Sequence, residues 1–234
     1  MRCLKEIQKD NLPIIILGSC LSLSTIIESC VALDRKIIGI VDNDYYGQDN
    51  MAGLPVFQES WLDSIDTSLY EFFVATNWIP GSHNVIKRNN NKRNHYISLM
   101  DQKKLIGATI IHPSCVISSG ALIGRNVRIG AMTVIMYGAE INNHALVKEQ
   151  CNISHDVKIG KNSVIQIKAC ITGCVRIGEN TYIGVGSTIM NRGELSNPTI
   201  IGDNVLVHPG LLVIQDLPND VVASLKNKKY SRVF

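Results

Sequence analysis

Little in this chain points to a membrane, an oxidising compartment or a nucleic acid. No apolar run approaches the ~20 residues that a bilayer-crossing helix needs, and the N-terminus, MRCLKEIQKDN, lacks the apolar core of a signal peptide. The seven cysteines (Cys3, Cys20, Cys30, Cys115, Cys151, Cys170, Cys174) are an odd, scattered set with no CxxC pair, so a disulfide framework is disfavoured and reduced packing thiols are expected. Charge of either sign is scarce and nearly balanced, 23 Lys and Arg against 20 Asp and Glu, too even to argue for nucleic acid or a membrane surface. The one basic run, NVIKRNNNKRN, is flanked by only two aromatics, Trp78 and Tyr96, and reads as a solvated surface. The expectation is a cytoplasmic globular protein that binds neither nucleic acid nor membrane.

What the chain does have is a period of six. Read in hexads from Ile111 to Pro218, it opens each of 18 hexads with Ile, Val or Leu, and 16 carry a small or Val side chain at the fifth place, Leu211 and Leu217 excepted. Six fits neither a 3.6-residue helix nor an alternating strand, and a fixed short period marks a solenoid. Three hexads per triangular coil would stack residues 18 apart at about 4.8 Å, the spacing of neighbouring strands. That gives three inward ladders, starting at Ile111, Ile117 and Ile123 and ending at Ile201, Val207 and Val213. Each buried member contributes roughly 1.5–3 kcal/mol as an upper bound. Glycines after the inward residue (Gly124, Gly130, Gly160, Gly178, Gly184, Gly202) are expected at the corners. The stretch 189–200 keeps the phase of the repeat and reads either as a regular turn or as a loop extruded at Asn197–Pro198.

Before the repeats, Pro13–Leu17 reads as a strand, Leu21–Leu33 as a helix and Lys36–Val41 as a second strand ending at Asp42. Phe72–Ala75 reads as a third strand, and 83–93 as a polar helix or loop. The organisation is therefore a small Rossmann-like βαβ domain over 1–102, a linker over 103–110, a parallel β-helix over 111–218 and a tail over 219–234. In a βαβ unit a ligand lies at the carboxyl ends of the strands, here near Gly18, Ser19 and Asp42. As a dinucleotide fingerprint the first turn is poor, since only Gly18 survives of G-x-G-x-x-G.

Within the repeats, His155 falls two places past inward Ile153, so its side chain points out of the prism. Eighteen residues on stands Gly173, a bare backbone one coil away. Asp156 follows His155, and a neighbouring carboxylate can keep an imidazole neutral and basic. A base beside an unobstructed backbone donor is the minimum kit for acyl transfer; the plainer reading is a surface histidine at a corner. No two of His112, His144, His155 and His208 are 18 apart, so no metal site is expected from the histidines. Lys148, Glu149 and Lys168 are expected to face solvent or a subunit interface.

The βαβ segment, the linker and the repeats containing I-S-H-D-V-K-I-G resemble, over nearly the whole chain, the bacterial sialic acid O-acetyltransferases and nucleotide-sugar N-acetyltransferases of the bacillosamine, perosamine and viosamine type. The resemblance implies a left-handed β-helix, a homotrimer, and acetyl-CoA as co-substrate between adjacent subunits. It implies His155 as catalytic base with Asp156 beside it, Gly173, Val185 and Gly186 as acetyl-CoA contacts, and Gly18, Ser19 and Asp42 as the site for a nucleotide sugar. The chain departs from the family pattern at Leu21 and Ser22 in the first turn, at Val164 and Lys168, and in its C-terminal tail. The alternative is a trimeric binding or scaffold protein that keeps the solenoid without catalysis.

Overall fold

The computed structural model describes residues 1–7, 11–19, 23–45, 52–76, 84–192, 197–224 and 231–232. A short helix α1 (Leu4–Ile7) precedes β1 (Ile14–Leu17), α2 (Leu23–Ala32), β2 (Ile37–Val41), β3 (Val56–Phe57), β4 (Glu71–Val74) and α3 (Asn84–Gln102). The four strands form one parallel sheet in the order β3-β2-β1-β4. Its central strand is apolar on both faces, as IIIL demands, because helices cover both sides. On one side α2 contributes Leu23, Ile26 and Cys30; on the other α3 contributes Tyr96, Ile97, Leu99 and Met100. The two-residue edge strand β3 has no sequence signal of its own length. Leu21 and Ser22, where the first turn departs from the family pattern, lie outside the described residues.

From Ile110 onward one device repeats: two residues of strand, then a four-residue turn, as in Arg128–Ile129, Val134–Ile135 and Glu140–Ile141. The strands stack in parallel into three sheets, and the arrangement fits a left-handed β-helix. Inward residues pair at 18-residue steps, such as Ile129 with Val147, Ile135 with Ile153 and Ile141 with Ile159. They form one contiguous apolar core with the small fifth-position residues, Cys151 among them. Burial in that core pushes the Cys151 thiol up to about 12, so it acts as a packing group.

Past Ile189 the expected ladders shift. Ile177 pairs with Ile201, Ile183 with Val207 and Ile189 with Val213, a step of 24. The register therefore takes in one hexad more between Ile189 and Ile200 than a regular turn would, which favours the loop; residues 193–196, Leu195 of the expected third ladder among them, lie outside the described residues. The last coil closes with a step of 16, Val207 to Ala223, so the solenoid runs past Pro218.

The corner expectation also needs correction. The glycines after the inward residue do not take a left-handed backbone; they are small because the next coil crosses them. A Cβ at Gly160 would meet the Gly178 carbonyl oxygen at 2.3 Å, and one at Gly124 would meet the Asn143 nitrogen at 2.6 Å. The left-handed turn is at the fourth position of the hexad, filled by Asn126, Met132, His144, Gln150, Asp156, Asn162, Lys168, Cys174, Asn180 and Asn204. Asn and Asp suit that conformation; the others are held there by the stacking.

The β-helix and the N-terminal sheet are packed together. Ile110, Leu146 and Val164, on the outer side of one β-helix face, share a cluster with Ile14, Leu23 and Ile26. The corner beside that face carries a polar column: Asn126 accepts from the Val74 amide at 2.9 Å and donates to Nδ1 of His144 at 2.7 Å, and Asn162 donates to Asn180 at 2.9 Å. Arg93 of α3, fully buried, donates to Asn162 Oδ1 at 2.6 Å and to the carbonyls of Val74, Thr76 and His144. The basic run is thus not wholly a solvated surface, because its Arg93 bolts the two parts together. Lys148 is likewise buried, and Glu149 pairs with buried Arg128 at 2.5 Å, so neither is a free surface charge.

Candidate active site

His155 and Asp156 occupy the third and fourth positions of one hexad, at the corner after strand Asn152–Ile153. The left-handed backbone of Asp156, φ 57°, turns its carboxylate back toward the preceding side chain. Nδ1 of His155 lies 3.0 Å from Asp156 Oδ2. An ionised carboxylate only accepts, so this contact assigns the proton to Nδ1 and leaves the Nε2 lone pair free. Both side chains are about half exposed.

The imidazole lies flat over Gly173, one coil on. A Cβ there would stand 2.4 Å from Nε2 and 2.5 Å from Cε1 of the ring. Gly173 has no left-handed backbone, so it is bare because of the ring and not because of a corner turn. Its own N–H donates to no group among the described residues, whereas the next amide, Cys174 N–H, donates to the His155 carbonyl at 2.9 Å. A base with a free nitrogen and an unpaired backbone donor therefore share one surface. Asp156 leans the other way, over Gly138, where a Cβ would meet its Oδ1 at 2.2 Å. Above Asp156 stands Cys174, whose thiol is pushed up by burial and by the carboxylate charge.

Val185 and Gly186 are exposed but stand at a different corner of the prism, after strand Tyr182–Ile183, so the structure does not bring them to His155 within one chain. Gly186 has φ 64° and open space where a Cβ would point. Lys168 lies at that same corner, beneath the Gly186 N–H that donates to the Ile167 carbonyl.

Gly18, Ser19 and Asp42 do come together, at the carboxyl ends of β1 and β2. Gly18, at φ 72°, packs against Thr76 and Tyr96 so closely that a Cβ would be 2.8 Å from each. Ser19 Oγ donates to Asp42 Oδ2 at 2.7 Å, and the Asp44 amide donates to Oδ1 at 3.1 Å. Sequence reasoning missed the third partner: Lys92 of α3 reaches Asp42 at 2.6 Å and Asp44 at 3.0 Å. Asp42 is fully buried, and with Asn43, Asp44, Asn91, Lys92, His95 and Tyr96 it lines a cavity of about 340 Å³, to which Gly18 and Ser19 do not contribute. The helical spacing of Lys92, Tyr96 and Leu99 was the available signal. Burial and the Asp42 charge hold the Tyr96 phenol well above its ordinary range.

The chain matches no family model and no curated protein. Among solved structures it is similar to PerB from Caulobacter crescentus, in complex with CoA and GDP-perosamine, at 24% identity over 94% of this chain and 97% of that one, with a TM-score of 0.78. It is similar to the acetyltransferase domain of PglB from Neisseria gonorrhoeae, in complex with acetyl coenzyme A, at 21% identity over 95% and 100% of the two chains, with a TM-score of 0.76. A variant of the Caulobacter perosamine N-acetyltransferase with one histidine replaced by asparagine, in complex with CoA and GDP-perosamine, matches at 24% identity over 94% and 96%, with a TM-score of 0.61. At these identities the likeness establishes the fold.

Proposed function

We propose that this protein transfers acetyl from acetyl-CoA to an amino or hydroxyl group of a nucleotide-activated sugar, in the cytoplasm, for surface glycan biosynthesis. The observation that carries the reading is the His155 ring, its Nδ1 held by Asp156, lying on bare Gly173 beside that residue's unpaired N–H. Gly173 has no side chain to push the ring away, so a thioester laid beside the ring can turn its carbonyl oxygen toward the Gly173 N–H. As the acceptor attacks the carbonyl carbon, its proton passes to Nε2 of His155; the new N–C or O–C bond forms as the C–S bond breaks. The imidazolium then returns the proton to the leaving CoA sulfur. Asp156 supports the charge on the ring, and Gly173 N–H the charge on oxygen. The residues need no metal for this.

The N-terminal unit is a Rossmann-like domain that holds the nucleotide sugar at Gly18, Ser19 and Asp42. The molecule is a homotrimer in which Val185 and Gly186 of one subunit complete the acetyl-CoA site beside His155 of the next. Support for the trimer comes from the β-helix face left uncovered by the N-terminal sheet, which exposes Val116, Met136, Met190, Leu212 and Ile214, with Tyr137 at its edge. Several large apolar side chains exposed together on one face suit a contact with another subunit.

One observation favours the non-catalytic alternative: Asp42 is already satisfied by Ser19, Lys92 and the Asp44 amide. The test is to screen nucleotide sugars carrying a free amine or hydroxyl for a rise in melting temperature, since a ligand that binds only the native state stabilises it. Each one that binds is then incubated with acetyl-CoA and examined by mass spectrometry. An acetylated sugar is expected; binding of acetyl-CoA and sugar with no product would favour the scaffold.

A further inference from the structure

His155, Asp156 and Cys174 bring an imidazole nitrogen, a carboxylate oxygen and a thiol sulfur within 4.8 Å of one another. The third member is placed by the coil: Cys174 stands at the fourth position of its hexad, φ 64°, directly over Asp156, φ 57°. The backbone bond from Cys174 N–H to the His155 carbonyl, 2.9 Å, fixes the two corners to each other. Histidine spacing does not reveal this cluster, because only one of its members is a histidine. The proposed transfer uses two of these side chains and gives Cys174 no part.

We propose that this corner is an inhibitory binding site for a thiophilic divalent cation, with Zn²⁺ as the fitting ion. Nitrogen, oxygen and sulfur donors together are a set that zinc accepts and that the oxygen-seeking Mg²⁺ and Ca²⁺ do not. Three protein ligands leave a fourth position for water, and the half-exposed His155 and Asp156 leave the corner open to solvent. Binding requires small closing movements of side chains, since the three donor atoms are already within reach. The thiol gives up its proton to become a ligand, and that proton leaves to solvent. Coordination at Nε2 occupies the lone pair that would take the acceptor's proton; coordination at Nδ1 forces the ring proton onto Nε2. Either way the base is lost. Cation binding is independent of the acetyltransferase reading, whereas the inhibition rests on it.

The reduced full-length protein is titrated with Co²⁺, then with Zn²⁺. One equivalent of Co²⁺ is expected to give a thiolate-to-cobalt charge-transfer absorption that Zn²⁺ abolishes. The absorption should vanish in Cys174→Ala and persist in Cys170→Ala. In the transfer assay without metal Cys174→Ala should match the wild type, while its half-inhibiting Zn²⁺ concentration rises about tenfold or more, as loss of one of three ligands implies. A charge-transfer band that survives Cys174→Ala, or equal zinc sensitivity of the two proteins, overturns the inference. A band that depends on Cys174 in a protein that acetylates no sugar leaves the cation site standing and removes the acetyltransferase reading instead.

Discussion

A methyl group on Gly173 would stand 2.4 Å from Nε2 of His155, closer than real contacts allow, yet the obstructing atom is the far end of a half-exposed side chain. The ring can therefore swing away while the coil stays as it is. Gly173 is not in the left-handed region, so the substitution brings no backbone strain of its own. Gly173→Ala is expected to lower kcat by at least about tenfold by displacing the base, with the melting temperature within a few degrees of wild type. Thermal denaturation and steady-state kinetics on the one variant check this; a large loss of stability with kcat intact would mean that the ring does not depend on the bare backbone. The choice of position 173 was legible from the 18-residue register alone. That the imidazole lies flat on it was not, because ring orientation depends on the Asp156 contact and not on spacing.

At the scale of elements, the six-residue period revealed which residues point inward but not how the corners turn. The fourth position adopts φ > 0 whether Asn126, Met132 or Lys168 occupies it, so no residue type marks it. The extra hexad before Ile200 was undecidable for a related reason: an insertion of six keeps every inward residue in phase, and only the pairing of Ile177 with Ile201 reveals it. Lys92 and Arg93 were hidden because their partners are distant in the chain: Asp42 for one, Val74, His144 and Asn162 for the other. One corner column makes a testable link to pH. Burial, with the nearby charges of Arg93 and Lys161, lowers the His144 pKa to about 3. The unfolded chain takes up a proton near pH 6.5 that the folded one refuses, so stability present above that value falls as pH drops toward 3, by up to about 1.4 kcal/mol per pH unit. His144→Asn, which extends the column of Asn126, Asn162 and Asn180, should keep the fold and flatten that part of the stability–pH curve. Urea midpoints at pH 7, 6, 5 and 4 check it; parallel curves for the two proteins would contradict a buried neutral histidine.

For the whole molecule, the three faces of the β-helix differ in what covers them. One packs on the N-terminal sheet through Ile110, Leu146 and Val164, while the face with Val116 (66% exposed) and Leu212 (63% exposed) is bare. Placing lysines there, Met136→Lys with Leu212→Lys, should turn the proposed trimer into monomers in light scattering and cost acetyl-CoA affinity, because the proposed second corner of the site then has no neighbour. A wild-type monomer at micromolar concentration would contradict the shared site. The proposed role of His155 is put to the test by the rate of thiol release from acetyl-CoA in the presence of an acceptor nucleotide sugar, wild type against His155→Asn. A fall of about 10²–10⁴ in kcat is expected, with acetyl-CoA affinity and oligomeric state unchanged; a His155→Asn protein that turns over at the wild-type rate would contradict a general base at this position.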